Sequence, residues 1–260
     1  MEHASDRWES AVLVILWSIA IVVMVVRAQR GRDYFIRRIP GLNAIDEAVG
    51  RATEMGRPIL MIPGIGNIWV IIVQALTIFS YIAKTAAQFG NRILVPVGGE
   101  YGPAVYTVAQ EMIRDSYDAV GKREAFDTDS IRFISDRQFA FASGVAGMIF
   151  REQPAAVFMF GEFFAESLIF AETGQRVGAI QVAGTTQITQ IPFLIAACDY
   201  AIIGDEFYAA SAYISREPTL LGSLVAQDVC KGIVLLLVVL GTLVVTLWGP
   251  EAEFIKWFTV

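Results

Sequence analysis

The residues able to bind or transform a ligand collect where apolar runs end. They are Gly64, Gly66 and Asn67 in PGIGN, Gly98, Gly99, Glu100 and Tyr101 in GGEYGP, Glu162 and Glu166 in GEFFAES, and Thr185, Thr186 and Gln187 in AGTTQ. Glycines between a strand and a helix leave backbone N–H groups open to a phosphate, and the strand ends of an open parallel sheet form its ligand crevice. The glycine spacing departs from that use. A dinucleotide fingerprint needs a third glycine three positions after the second, where Trp69 stands, and no Walker-type lysine follows. Gly64 and Gly66 therefore read either as a tight strand-to-helix turn or, with Asn67, Gly98, Gly99, Glu100, Tyr101, Thr185 and Thr186, as part of a ligand-binding edge. SDRQ (Ser135 to Gln138) and GDEF (Gly204 to Phe207) bring Asp136, Asp205 and Glu206 to the same edge, with Arg137 as the only cation near it. An anion there would depend on backbone amides.

Glu162 and Glu166 stand four apart, so on one helix they would share a face and could hold a divalent cation or act as an acid and base pair. Carboxylates in a first helical turn also complement the helix dipole without further purpose. The only histidine is His3, close to the N-terminus, so the body of the chain has no imidazole for nucleophile activation, proton transfer or zinc. Ser143 and Ser167 lack nucleophile-elbow spacing. No catalytic residue, metal ligand or cofactor is assigned.

The elements that position these residues alternate. Strands are expected at Ile59–Pro63, Arg92–Val97, Ile131–Ser135, Ala156–Phe160, Ala179–Gly184 and Tyr200–Gly204. Helices are expected near Ile68–Phe89, Pro103–Val120, Asp136–Arg151, Glu162–Glu172, Gln187–Ala197 and Asp205–Ser215. That order predicts an α/β fold, a doubly wound, Rossmann-like parallel sheet with right-handed crossovers, and near-continuous apolar strands suit a sheet buried on both faces. Pro103 can sit in a first turn, Asp136 and Asp205 can cap helices, and Gly121 and Gly174 can end them. Residues 121–130 read as a polar exposed loop. FAFASGVAGMIF (Phe139 to Phe150) and FMFGEFFAESLIF (Phe158 to Phe170) are apolar around much of the helix, so these helices are expected either sandwiched within a large core or, for part of this surface, buried against a second protomer.

Composition brings in lipid. Of 260 residues 55% are hydrophobic, and the mean hydropathy is +0.54. The excess is concentrated in two charge-free runs, Ser10–Val26 and Gly232–Trp248, each near the lower limit of about 17–25 residues for a spanning helix. Arg27, Arg30, Arg32, Arg37 and Arg38 follow the first run, and Arg216 and Lys231 precede the second, whereas Glu251 and Glu253 follow it. The positive-inside bias then puts the middle of the chain in the cytoplasm, with Trp8, Trp248 and Trp257 at the interfaces. The expected order is an extracytoplasmic N-terminus (1–9), a transmembrane helix (10–26), a juxtamembrane segment (27–55), a cytoplasmic α/β domain (56–230), a second transmembrane helix (231–248) and an extracytoplasmic C-terminus (249–260). A cleaved signal peptide is the competing reading of the first run, but it lacks a basic n-region and a small-residue cleavage pattern. Ile65 to Lys84 is long and apolar enough to be a third span, although Asn67, Gln74, Thr77 and Ser80 favour a buried or oligomer-facing helix. Two cysteines, Cys198 and Cys230, make no disulfide framework, and a net charge of −6 excludes the basic excess of a nucleic-acid binder.

The phrases GRPILMIPGIG, VYTVAQEMIRDSY, DRQFAFASGVAGMIFREQPAA, AESLIFAETG and the run from AIQVAGTTQ through SREPTLLGSL together resemble an uncharacterised bacterial integral-membrane family, frequent in Chloroflexi. That family is defined by a domain of unknown function set between hydrophobic segments. The resemblance covers about Gly56 to the end of the second run and implies a membrane protein of this organisation, with no reaction attached. The expectation is a self-associating structural or scaffold protein of the bacterial cytoplasmic membrane, multi-pass, whose partners are the lipid bilayer and further copies or subunits of a larger membrane complex. The alternatives are a module sensing a small metabolite or nucleotide, and a metal-dependent carboxylate enzyme.

Overall fold

The structure, a computed structural model, describes residues 8–32, 34, 39–66 and 69–248. His3, Arg37, Arg38, Asn67, Glu251, Glu253 and Trp257 lie outside the described residues. In chain order the elements are α1 (Trp8–Gln29), α2 (Pro40–Met55), β1 (Ile59–Gly64), α3 (Trp69–Phe89), β2 (Ile93–Gly98), α4 (Gly102–Asp118), β3 (Ile131–Ser135), α5 (Gln138–Glu152), β4 (Ala156–Glu162), α6 (Glu166–Arg176), β5 (Ile180–Thr185), α7 (Ile191–Ala197), β6 (Tyr200–Ile203), α8 (Asp205–Ser215) and α9 (Pro218–Trp248). The chain divides into two compact units, one holding α2 to α8 and the other α1 and α9.

The first unit is α/β, with one six-stranded sheet in the order β3-β2-β1-β4-β5-β6. Every pairing is parallel. The strands form where the sequence has short apolar runs, and the four inner strands are buried at every position, as a sheet covered on both faces requires. The edge strands β3 and β6 are partly exposed. Side chains alternate between two cores. Ile59, Met61, Phe158 and Phe160 face a layer built from α2, α3, α4 and α8, and Leu60, Ile62, Val157 and Met159 face one built from α5, α6 and α7.

Several expected boundaries move. Residues 40–55, read from sequence as juxtamembrane, form α2, whose Leu42, Ile45, Ala48, Val49 and Ala52 are buried in the first core. Their spacing is that of one helix face, and Pro40 opens the helix while Gly56, at φ 62°, closes it. Asp136 does not cap α5; the helix follows Arg137, whose N–H donates to the Ser135 hydroxyl oxygen at 3.1 Å. Gly174 lies inside α6 and ends nothing, and the absence of a Cβ there admits the Gln181 side chain. Most important for the site, β4 runs on to Glu162, and α6 begins only at Glu166.

The third apolar helix, α3, is part of the first core. Ile71, Ile72, Ala75, Leu76, Ile78, Phe79, Ile82, Ala83, Ala86 and Ala87 are all buried. Gln74 is buried too, and it accepts a hydrogen bond from the Ser211 hydroxyl of α8. Among the described residues three helices are long and apolar enough to cross a membrane: Ala11–Gln29, Val70–Phe89 and Pro218–Leu247.

Candidate functional site

Parallel pairing brings the C-terminal ends of all six strands to one edge, and the strand order reverses between β1 and β4. Such a reversal is where an open α/β sheet opens a crevice. Gly64 and Gly66 leave β1 at this point, and Gly161 and Glu162 end β4 beside them.

Here the turn is closed by the protein itself. The N–H groups of Ile65 and Gly66, the donors an anion would need, both donate to the Glu162 carbonyl oxygen, at 3.1 and 3.2 Å. Gly64 has φ 79°, and a Cβ there would collide with that same carbonyl; a Cβ on Gly66 would strike the Glu162 side chain. The two glycines are thus required by the close approach of β4. The next strand end repeats the pattern. The Gly99 N–H donates to Ser135 O at 3.0 Å, and a Cβ on Gly99 would come within 3.0 Å of the Ile65 side chain.

The polar groups around β4 form a shell of carboxylates held by neutral amides. Glu162, 4% exposed, accepts from the Gln187 side-chain amide. Glu166, fully buried, accepts from Gln138 Nε2 at 2.6 Å and from the Phe164 N–H at 3.0 Å. The Ser167 hydroxyl lies 2.9 Å from both Phe164 O and Gln190 Oε1. Thr185 Oγ1 accepts from the Gln187 N–H at 3.2 Å, which fixes the turn after β5. Because Glu162 ends a strand and Glu166 starts a helix, the two do not share a helical face, contrary to the sequence expectation. Among the described residues no group of three or more His, Cys, Asp or Glu side chains gathers as a metal site.

The sequence-predicted site residues separate into groups. Gly64 and Gly66 pack on Glu162, and Gly98 and Gly99 are buried beside Ser135 and Ile65. Glu100 is exposed, Tyr101 precedes the first turn of α4, Thr185 is buried and Thr186 half-buried. Asn67 lies outside the described residues. Two strands separate β2 from β5, so the Glu100–Tyr101 and Thr185–Thr186 pairs stand about 14 Å apart and flank the β1–β4 junction without meeting across it. The carboxylate-binding role of Gln138 and Gln187 has one trace in the sequence: each glutamine follows closely behind a strand end.

Two titratable groups at the start of β6 hold their protons more tightly than usual. Burial, and then the Asp199 charge, push the Cys198 thiol up to about 12, so it stays protonated at neutral pH. The Tyr200 hydroxyl, 3.2 Å from Glu47 Oε2, is raised by that hydrogen bond and the Glu47 charge.

The family model described as Domain of unknown function (DUF6754) matches residues 2–255, and the chain belongs to that family. No curated protein and no solved structure matches it.

Proposed function

With a family that lends no reaction as the premise, we propose that this chain is a membrane-anchored, self-associating structural or scaffold protein whose α/β unit is non-catalytic and of doubly wound, Rossmann-like type. The observation that carries the reading is the closed turn after β1: the amides that would cradle a ligand phosphate donate to Glu162 instead. The strand order is that of dinucleotide-binding sheets, but the binding device in it is filled by the neighbouring strand.

Self-association draws support from the layer of α5, α6 and α7. Phe139, Leu168, Phe193 and Ile195 are between 47 and 67% exposed on it, large apolar groups with no reason to face water singly in such number. In this reading α1 and α9 span the bacterial cytoplasmic membrane, and Arg27, Arg30 and Arg32 hold the α/β unit on the cytoplasmic side. Mass measurement of the detergent-extracted chain tests the proposal. A multiple of the protomer mass that falls to one protomer in Leu168→Glu/Phe193→Glu, with the fold retained, is expected; a single protomer from the unsubstituted chain contradicts it.

The carboxylate and amide shell favours a second reading, a sensor of a small polar ligand at the β4 and β5 ends. Thermal stabilisation by nucleotides or divalent cations, abolished by Gly66→Trp or Glu162→Gln respectively, would support that reading against the first.

A further inference from the structure

Helix α5 turns two unlike sides outward and inward. Phe141, Ala142, Val145, Met148 and Ile149 are buried towards the sheet. Phe139, Ser143 and Phe150 are exposed, the two rings by 67 and 48%, at spacings that keep all three on one side of the helix. No residue from 138 to 150 is charged. Charge returns only at the two ends. Asp136, just before the helix, is exposed and receives a 3.4 Å contact from the Ser135 hydroxyl. Arg151, in the last turn, is exposed as well. Its neighbour Glu152 is taken by Arg92 at 2.8 Å, and among the described residues Arg151 has no ion pair.

We propose that α5 is the seam of a two-fold contact between copies of this chain, antiparallel and closed at each end by Asp136 of one copy and Arg151 of the other. A face with an acid at one end, a base at the other and apolar groups between is complementary to itself turned end over end. An axis across the middle of α5, between Gly144 and Val145, brings Phe139 of each copy to Phe150 of the other. Asp136 then lies within reach of the other copy's Arg151. Arg137, beside Asp136, meets the other helix's last turn, whose free carbonyls carry partial negative charge. An acidic lipid surface would leave Asp136 repelled and without a partner.

The exposed area is of the size such a contact needs. The side of α5 continues into Leu168 and Ile169 of α6 and Phe193 and Ile195 of α7, all six large side chains being between 36 and 67% exposed. At about 200 Å² for each side chain they uncover on the order of 600 Å². Smaller neighbours bring the face close to the roughly 800 Å² per partner of a standard interface. The inference rests on the self-association reading above and adds the surface and its symmetry, which closes at two copies.

Disulfide trapping in the full chain, in mild detergent and in a Cys198→Ser/Cys230→Ser background, tests it beside the mass measurement. Ser143→Cys, next to the axis, should link to its own counterpart on oxidation with copper phenanthroline. Ala140→Cys should not, its two copies standing about 14 Å apart along the helices. Asp136→Arg or Arg151→Asp alone, each breaking two symmetry-related pairs, should weaken the dimer about tenfold, and the two together should restore it to within about twofold. Linkage at Ala140→Cys and not at Ser143→Cys, or a double variant no tighter than the single ones, overturns this geometry and leaves self-association standing. A single-protomer mass from the unsubstituted chain overturns both and gives the face to lipid or to another protein.

Discussion

Helices α3 and α9 are both candidate spans by composition, α9 the more apolar, and they differ in how much protein covers them. Both are apolar enough to span a bilayer, yet 61% of the most apolar window of α3 is buried within the α/β unit and none of that of α9 is; α1, with 6% buried, sides with α9. The difference lies in what else each helix carries. Helix α3 presents Phe79 to Phe160 at a ring separation of 5.9 Å and buries Gln74 against Ser211, an amide that hydrocarbon could not satisfy. Between Gly232 and Leu247 helix α9 bears only aliphatic side chains, Gly241 and two threonines, Thr242 and Thr246, that bond back to their own helix. Hydropathy says that a helix avoids water; the placement of its few polar groups says whether protein or lipid takes water's place.

Substitutions can break that contrast. Phe160→Ala removes the ring that meets Phe79, Phe158 and Phe207, and should cost about 3–5 kcal/mol in denaturant unfolding of the full chain in detergent. Leu236→Ala in α9, at a side chain 58% exposed, should stay within about 0.5 kcal/mol. Equal losses would erase the distinction. Ser211→Ala should follow at about 1–2 kcal/mol, since it strips the buried Gln74 oxygen of its donor; no loss would mean that water reaches Gln74.

A smaller effect comes from alkali. Burial, and then the Asp127 charge, push the Tyr117 hydroxyl of α4 up to about 12. The folded state therefore keeps this proton when the unfolded chain, near pH 10, has lost it. The stabilisation is fully present below about pH 10 and disappears as pH rises through about 12. Tyr117→Phe should flatten the decline in stability over that window, read as Tm against pH, and a decline unchanged in the variant would assign it elsewhere.

Much of this fold is legible in the chain. All six strands are readable as short apolar runs bounded by Gly, Pro or polar residues, because a sheet covered on both faces leaves its inner strands few polar positions, Glu162, Gln181 and Thr185 among them. Helix α8 begins at Asp205 as expected. Helix α2 is masked by the arginines before it and by its small side chains, although Leu42, Ile45, Val49 and Ala52 keep helical spacing. The site is less legible for a physical reason. Which strand lies beside β1 is a long-range outcome, and only the arrival of β4 there gives the Ile65 and Gly66 amides the Glu162 carbonyl as acceptor. Glu162 illustrates the same point, since nothing local distinguishes a strand's last residue from a helix's first.

The most direct test compares three nitroxide positions, Val14, Val73 and Val239, introduced singly as cysteine in a Cys198→Ser/Cys230→Ser background and reconstituted in liposomes. Collision rates with oxygen and with a water-soluble nickel complex separate lipid from aqueous surroundings. Val14 and Val239 should favour oxygen, and Val73, on the exposed face of α3, should favour nickel. An oxygen preference at Val73 equal to that at Val14 would put α3 in the bilayer and contradict its place in the α/β core.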